Sequence, residues 1–321
     1  MILDGHNDLA LRVWRGEQPA HIDLATAAAV DWAGGFFALY PPGPALALPD
    51  SGAVWLPLEE PLDREEARGA IERMAQALEA LDVAIARRIG DIRPGRVNAI
   101  MHLEGAEPLA PDLSELDSWY DRGLRSIGIT WARRNAFGEG VPFRYPSTTD
   151  TGPGLTAAGH DLVHACNELG ILVDVSHLNE AGFWDVARTS KAPLVATHSN
   201  AHALCPVSRN LTDGQLDAIG DSGGVVGVNF GTWFLLADGA DPEQVGLADI
   251  VRQVDYIAGR IGVDHVAFGS DFDGAVVPTE LGGLAGLPKL VAALRDAGFD
   301  DDAVAKITHE NWLRVLRATW S

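Results

Sequence analysis

Lysine and cysteine are nearly missing from this 321-residue chain: three lysines (Lys191, Lys289, Lys306) and two cysteines (Cys166, Cys205) are all it has. Two cysteines far apart in sequence fit no zinc-finger spacing and no disulfide framework. They suggest a reduced chain, with a single bridge between them left open. Basic residues of either kind number 24 against 45 acidic ones, a formal net charge of −21. Such a surface repels phosphate backbones and anionic lipid, so nucleic-acid and membrane-surface binding are not expected. No uncharged apolar stretch reaches the ~18 residues of a membrane span. The opening Met1-Ile2-Leu3-Asp4-Gly5-His6 lacks the basic and apolar regions of a signal peptide, which makes the cytoplasm the expected compartment. No Gly-x-Gly-x-x-Gly follows the first apolar run, so a dinucleotide site has no support. Repeats, low-complexity tracts and linkers are absent as well, and one domain over residues 1–321 is expected.

What is present is alternation. Short apolar, β-rich runs at Ile2–His6, Gly35–Tyr40, Val97–Glu104, Ser126–Trp131, Ile171–His177, Leu194–His198, Gly224–Phe230 and Val266–Asp271 read as eight strands. Helical periodicity fills most gaps, as in Arg64–Arg88, Thr156–Leu169, Glu180–Arg188, Thr212–Ile219 and Ala248–Ile261, and two helical stretches, Leu287–Ala297 and Asp301–Thr319, close the chain. Alternating β and α segments imply a parallel sheet, and eight strands imply closure into a (β/α)8 barrel, with a doubly wound open sheet as the alternative. The long connections Pro41–Asp63 and Ala132–Gly154 both follow strands, which on a barrel places them at the C-terminal face, where substrate walls belong.

The strand ends carry the chemistry. The first ends in His6-Asn7-Asp8, the third in Glu104, the fifth in His177, the sixth in His198 and the eighth in Asp271. A lone His at a strand end is more often a satisfied polar residue than a ligand, and in so acidic a chain most acids are simply solvated. Here, however, His6, Asp8, Glu104, His177 and His198 all fall at one end of a barrel, a set of nitrogen and oxygen donors suited to zinc. Five exceed the three that one catalytic zinc takes, so two metals sharing a carboxylate fit better. None of the three lysines ends a strand, which leaves Glu104 as the bridge. Asp271 is the candidate proton carrier, with Asp273 as its competitor; Arg209 is a candidate for holding a substrate carboxylate. His160 and His164 have zincin-like i, i+4 spacing, but the stripe Leu155, Gly159, Leu162, Cys166, Leu169 turns them outward, so they read as a decoy. His102, two residues before Glu104, reads as a core or supporting residue. His21, His202, His265 and His309 read as structural.

These residues resemble the membrane (renal) dipeptidases and their bacterial relatives, zinc barrels of the amidohydrolase type. The resemblance runs over nearly the whole chain, through His6-Asn7-Asp8, Leu103-Glu104-Gly105, Asp174-Val175-Ser176-His177, Thr197-His198-Ser199, Ser208-Arg209-Asn210 and Gly269 to Gly274. It implies that His6 and Asp8 hold one zinc, that His177 and His198 hold the other, and that Glu104 bridges them. It also implies that Arg209 meets the substrate's C-terminal carboxylate and that Asp271 handles protons. The substrates would be dipeptides, some with a D-residue on the C-terminal side, and the assembly a homodimer without a membrane anchor. The reaction then expected is attack on the peptide carbon by a hydroxide shared between two zinc ions ~3.5–4 Å apart. One position departs from the pattern: after Ile129-Thr130 the well-known members carry a His that contacts substrate, and here stands Trp131, with Arg133 and Arg134 nearby as possible replacements for that contact. A deaminase or lactonase on the same barrel, or a non-catalytic metal-binding relative, are the rival readings. Elemental analysis of the purified chain separates them, with about two zinc ions per chain expected on the two-metal reading and one on the deaminase reading.

Overall fold

The computed structural model describes residues 1–43, 54–236 and 244–320. Residues 44–53 of the Pro41–Asp63 connection therefore lie outside the described residues. The eight expected strands are all present: β1 Ile2–Asn7, β2 Trp32–Leu39, β3 Asn98–Glu104, β4 Leu124–Gly128, β5 Leu172–Asp174, β6 Val195–Ala196, β7 Val225–Val228 and β8 Val266–Phe268. Each pairs in parallel with the next. The ring is completed just past β8, where Asn7 bridges Phe272, Asp8 N donates to Phe272 O (2.8 Å) and Asp271 N donates to His6 O (3.0 Å). The architecture is a (β/α)8 barrel.

Alternation along the strands sorts its interior into layers. At the bottom lie Leu3, Phe36, Ile100, Leu172, Val195, Val225 and Ala267, one residue from each strand but β4. The C-terminal helix Asn311–Thr319 closes this end: Trp312 is fully buried among them, its ring 5.1 Å from that of Phe36 and its Nε1 donating to Phe268 O at 3.0 Å. The indole rises so far into the barrel that a Cβ on Gly5 would lie 2.5 Å from its Cζ2, and one on Gly227 3.0 Å. The Thr197 carbonyl oxygen comes closer still, 2.2 Å from the Gly5 Cβ position and 2.0 Å from that of Gly227, so the neighbouring backbone together with the indole requires glycine at both. Two steps further along β3 from Ile100 come His102 and Glu104, and along β7 from Val225 come Gly227 and Asn229, so the layers lead from an apolar floor to a polar mouth.

Two expected helices differ. Arg64–Arg88 is helical only over Arg64–Glu79; beyond it Leu81, Val83 and Ile85 alternate with period two, and Ala84–Ile85 pairs with the start of β3. The stretch Asp301–Thr319 is interrupted by a π turn at Lys306–Glu310. Cys166 and Cys205 are both buried, and no disulfide joins them. Among the described residues no helix is long and apolar enough to cross a membrane. If the indole plug holds the bottom layer together, Trp312→Ala should cost about 3–5 kcal/mol of stability, read as a shift in urea unfolding midpoint; a loss below about 1 kcal/mol would mean the layer closes without it.

Candidate metal centre

At the C-terminal mouth one atom is shared by three rings. Glu104 Oε1 lies 3.2 Å from His177 Nε2, 3.5 Å from His198 Nε2 and 3.6 Å from His6 Nε2. Asp8 Oδ2 is 3.4 Å from the same His6 nitrogen, and the His6 ring stacks on His198 with centroids 3.8 Å apart. Candidate ligand atoms of His6, Glu104 and His198 fall within 4.8 Å of one another, as do those of His6, Asp8 and Asp271. All of these side chains are buried except that of Asp271, which is partly exposed at the rim.

A cation fits this arrangement. Both ring nitrogens of His6 are buried without a hydrogen-bond partner, a costly state for an imidazole unless something else engages it. Burial opposes charge on His6, yet the Glu104 and Asp8 carboxylates outweigh it and lift the pKa well above the ordinary value. Burial pushes Glu104 up to about 7 against the pull of His6. It pushes His177 and His198 well below the ordinary imidazole value, reinforced by the positive charges of Arg209 and His6. His177 and His198 are thus held in the neutral form that a metal takes as ligand, while His6 and Glu104, whose protonated forms are favoured here, would give up protons to a bound cation. Backbone strain marks the same place: His177 (φ 64°), Asp271 (φ 59°) and Asp273 (φ 68°) occupy the left-handed region, which side chains other than glycine rarely adopt and which functional sites tolerate.

A layer of hydrogen bonds beneath sets the tautomers. Asp174 accepts from Ser176 N (2.9 Å), Thr197 N (2.8 Å) and Thr197 Oγ1 (2.6 Å). With its one proton given to Asp174, the Thr197 hydroxyl accepts from His198 Nδ1 at 2.8 Å, which leaves the lone pair of His198 on Nε2, 2.9 Å from His177 Nε2 and 3.5 Å from Glu104 Oε1. His102 sits in this layer as expected: its Nδ1 meets Ser126 Oγ at 2.9 Å, its Nε2 is 3.6 Å from Asp174, and burial lowers its pKa to about 3.

His177 is set the other way. Arg209 Nε donates to His177 Nδ1 (3.1 Å), and a guanidinium can only donate, so the ring proton of His177 sits on Nε2. Arg209 spends its remaining nitrogens on Ser199 Oγ (2.6 Å) and His198 O (2.8 Å); it is buried behind His177 rather than placed in the cavity wall.

Over the centre opens a cavity of about 350 Å³, with Asp8, Glu104, His177 and Asp271 at its floor and Tyr40, Trp131, Phe143 and Phe234 in its walls. Trp131 thus faces the site, its ring 5.9 Å from that of His177. Its neighbours do not replace the missing imidazole. Arg133 is fully buried and bound to Glu59, Pro41 O and Tyr40 Oη, and Arg134 points outward to pair with Glu139. Asp273 is turned away, accepting from Ala20 N (2.6 Å) and His21 N (3.0 Å), so Asp271 has no competitor at the rim. His160 bonds Thr189 across two helices of the outer layer and takes no part in the donor groups at the mouth, in keeping with the decoy reading.

Asn229 is the residue that sequence reasoning missed. Its Nδ2 donates to Asp271 Oδ2 (2.9 Å) while its Oδ1 accepts from Gly231 N (2.6 Å), and Asn200 holds its backbone on both sides. The signal was available: Asn229 continues the inward alternation Val225, Gly227 at the end of the seventh strand. In the hydrogen-bond layer, Thr197→Val strands His198 Nδ1 without an acceptor and should weaken zinc binding about 10- to 100-fold, measured by competition with a chromogenic chelator; unchanged affinity would free the tautomer from Thr197.

Comparison with known proteins bears on all of this. The family model described as Membrane dipeptidase (Peptidase family M19) matches residues 1–320. A solved structure of a metallo peptidase from Rhodobacter sphaeroides, liganded with a phosphinate mimic of the dipeptide L-Ala-D-Ala, is 44% identical, covers 99% of each chain and superposes with a TM-score of 0.95. An uncharacterized Klebsiella pneumoniae protein of the pqqA 5′ region is 54% identical over 221 residues, 69% of this chain and 82% of that one. Dipeptidase tcpJ of Claviceps purpurea is 34% identical over 252 residues, 77% of this chain and 55% of its own length. Whole-chain agreement of this kind, on a barrel whose mouth gathers metal-binding donors, means that the chain belongs to the membrane dipeptidase family, peptidase family M19, and is a metal-dependent hydrolase of peptide bonds.

Proposed function

We propose that the chain is a two-zinc dipeptidase that cleaves the single amide bond of dipeptides, including those with a D-residue on the C-terminal side. The observation that carries this reading is the Glu104 oxygen enclosed by three imidazoles, with Asp8 and Asp271 close by. His6 and Asp8 would hold one cation, His177 and His198 the other, and Glu104 both. Bound there, the pair would supply a nucleophile from water near neutral pH and polarise the scissile carbonyl. The Rhodobacter relative, crystallised with its L-Ala-D-Ala mimic, supports a dipeptide as substrate and the D-residue as tolerated.

The chain's own groups do the rest. Asp271 takes a proton from the attacking water and hands it to the leaving nitrogen. Burial raises its pKa from the ordinary carboxylate value, which brings it nearer the working range of a general base. Asn229 holds Oδ2 and leaves Oδ1 for the proton. Arg209 is the cation for the substrate's free carboxylate: the cavity lining among the described residues contains no arginine or lysine, and Arg209 stands directly behind the lining residue His177. In turning from His177 Nδ1 to that carboxylate, it would free the nitrogen that must carry the ring proton when Nε2 binds a cation. A requirement for the terminal carboxylate and a cavity at the small end of ligand sites both restrict the enzyme to short substrates.

Hydrolysis of L,L and L,D dipeptides by the zinc-loaded chain tests the assignment as a whole. Asp271→Asn should lower kcat by about 10²–10⁴ with both metals retained, and near-normal turnover would move the proton role elsewhere. Arg209→Ala should raise KM by about 10- to 100-fold, the worth of a charge-assisted hydrogen bond, with kcat changed far less. Loss of metal without a rise in KM would make Arg209 a support for His177 alone.

A further inference from the structure

The only large hydrophobic side chain exposed among the described residues, Val276 at 55%, stands at the rim of the cavity over the metal centre. Below it the walls are aromatic. Trp131 packs edge-on against Tyr40 (4.9 Å) and Phe143 (5.9 Å), and Phe143 edge-on against Phe234 (5.4 Å). Such a surface is maintained by mutual ring contacts, so it persists whether or not a ligand covers it.

Charge is kept out of the described part of these walls. Apart from the floor residues Asp8, Glu104, His177 and Asp271, the described lining holds no ionisable side chain except the Tyr40 phenol. The nearest guanidinium on the wall side, Arg133, is sealed behind Tyr40 and neutralised by Glu59 at 2.7 Å. Among the described residues an acidic substrate side chain would find no cation beyond Arg209, which the terminal carboxylate would occupy. A basic one would find only carboxylates committed to the centre. Burying either charge without a partner is costly, whereas an apolar side chain gains from each methylene it removes from water.

We infer that this site selects dipeptides whose side chains are uncharged and apolar, the bulkier one packing against Trp131 and Phe143. The inference rests on the dipeptidase reading of the same centre. It is distinct from it, because the catalytic groups sit on the floor and selection is made by the walls.

The test is kcat/KM of the zinc-loaded full chain for Leu-Phe, Ala-Ala, Glu-Glu and Lys-Lys, each as the L,L and L,D isomer. Leu-Phe should exceed Ala-Ala by about 10- to 100-fold, on the basis of roughly fourfold per buried methylene. Ala-Ala should exceed both charged dipeptides by at least about tenfold. Rapid turnover with these rates equal or reversed would overturn the selection and leave the dipeptidase reading standing. If protein holding two zinc ions cleaves none of the eight, the dipeptidase reading falls and this inference with it. In Trp131→Ala the ratio of Leu-Phe to Ala-Ala should drop at least about fivefold, a quantity from which any general loss of activity cancels; an unchanged ratio would remove Trp131 from the selecting wall.

Discussion

A single carboxylate oxygen, Glu104 Oε1, buried among three imidazole nitrogens at 3.2–3.6 Å, is the constraint around which the molecule is organised. A charge taken out of water must be met by other charges or donors. The third strand carries it to the mouth, and the first, fifth and sixth bring the rings that surround it, so no single βα unit could assemble the centre alone. Closure of the barrel is therefore a condition for the chemistry and not merely its setting. The two hydrogen bonds that join the ends of the first and eighth strands use the backbones of His6, Asp8 and Asp271 themselves.

Simple alternation cannot place all these side chains. On β3 it suffices, since Ile100, His102 and Glu104 step upward on one face. On the fifth segment Leu172 and Asp174 face inward, and the next inward position would be Ser176; His177 reaches the centre because its backbone turns left-handed, at φ 64°. On β1 the pairing with β2 slips twice between Ile2 and Asn7, which lets Leu3 below and His6 above both face the interior. The acids left between the layers are tied to neighbouring strands: Asp4 accepts from Ser270 N and Oγ, and Asp174 from Thr197 N and Oγ1. These bonds lock adjacent strands in register beneath the centre and orient the groups above.

The strand ends made much of this readable from residues alone. His6, Asp8, Glu104, His177, His198 and Asp271 are chemically conspicuous, and their places at strand ends, with barrel closure, say where they meet. What escaped is of a different kind. Asn229 has an unremarkable amide, and only the position of Asp271 across the mouth gives it a role. The burial of Arg209 behind His177 depends on side-chain packing that no spacing encodes. The end of the helix at Glu79 was lost because Leu81, Val83 and Ile85 satisfy a helical window loosely and a strand better. Arg133 and Arg134, plausible as substrate contacts by proximity in sequence, are committed to Glu59 and Glu139.

Net acidity and a site for an anionic substrate end are compatible once the charges at the mouth are counted. Asp8, Glu104 and Asp271 bring three negative charges to the floor, and two divalent cations of the proposed centre bring four positive ones. Counting the hydroxide drawn from the attacking water, the loaded floor would be neutral and Arg209 would make it positive by one, while the described walls carry no charge. A field of that sign inside a chain of −21 is strictly local, since exposed surface charge is screened over ~8–10 Å and a buried pair much less. A dipeptide carboxylate would thus be attracted only where it enters the cavity, and long acidic molecules would be repelled by the acidic surface around it. In the proposed enzyme, selection by charge and selection by shape would then act at different depths: the acidic surface would exclude polyanions, the loaded floor with Arg209 would bind the carboxylate and the aromatic walls would sort the side chains.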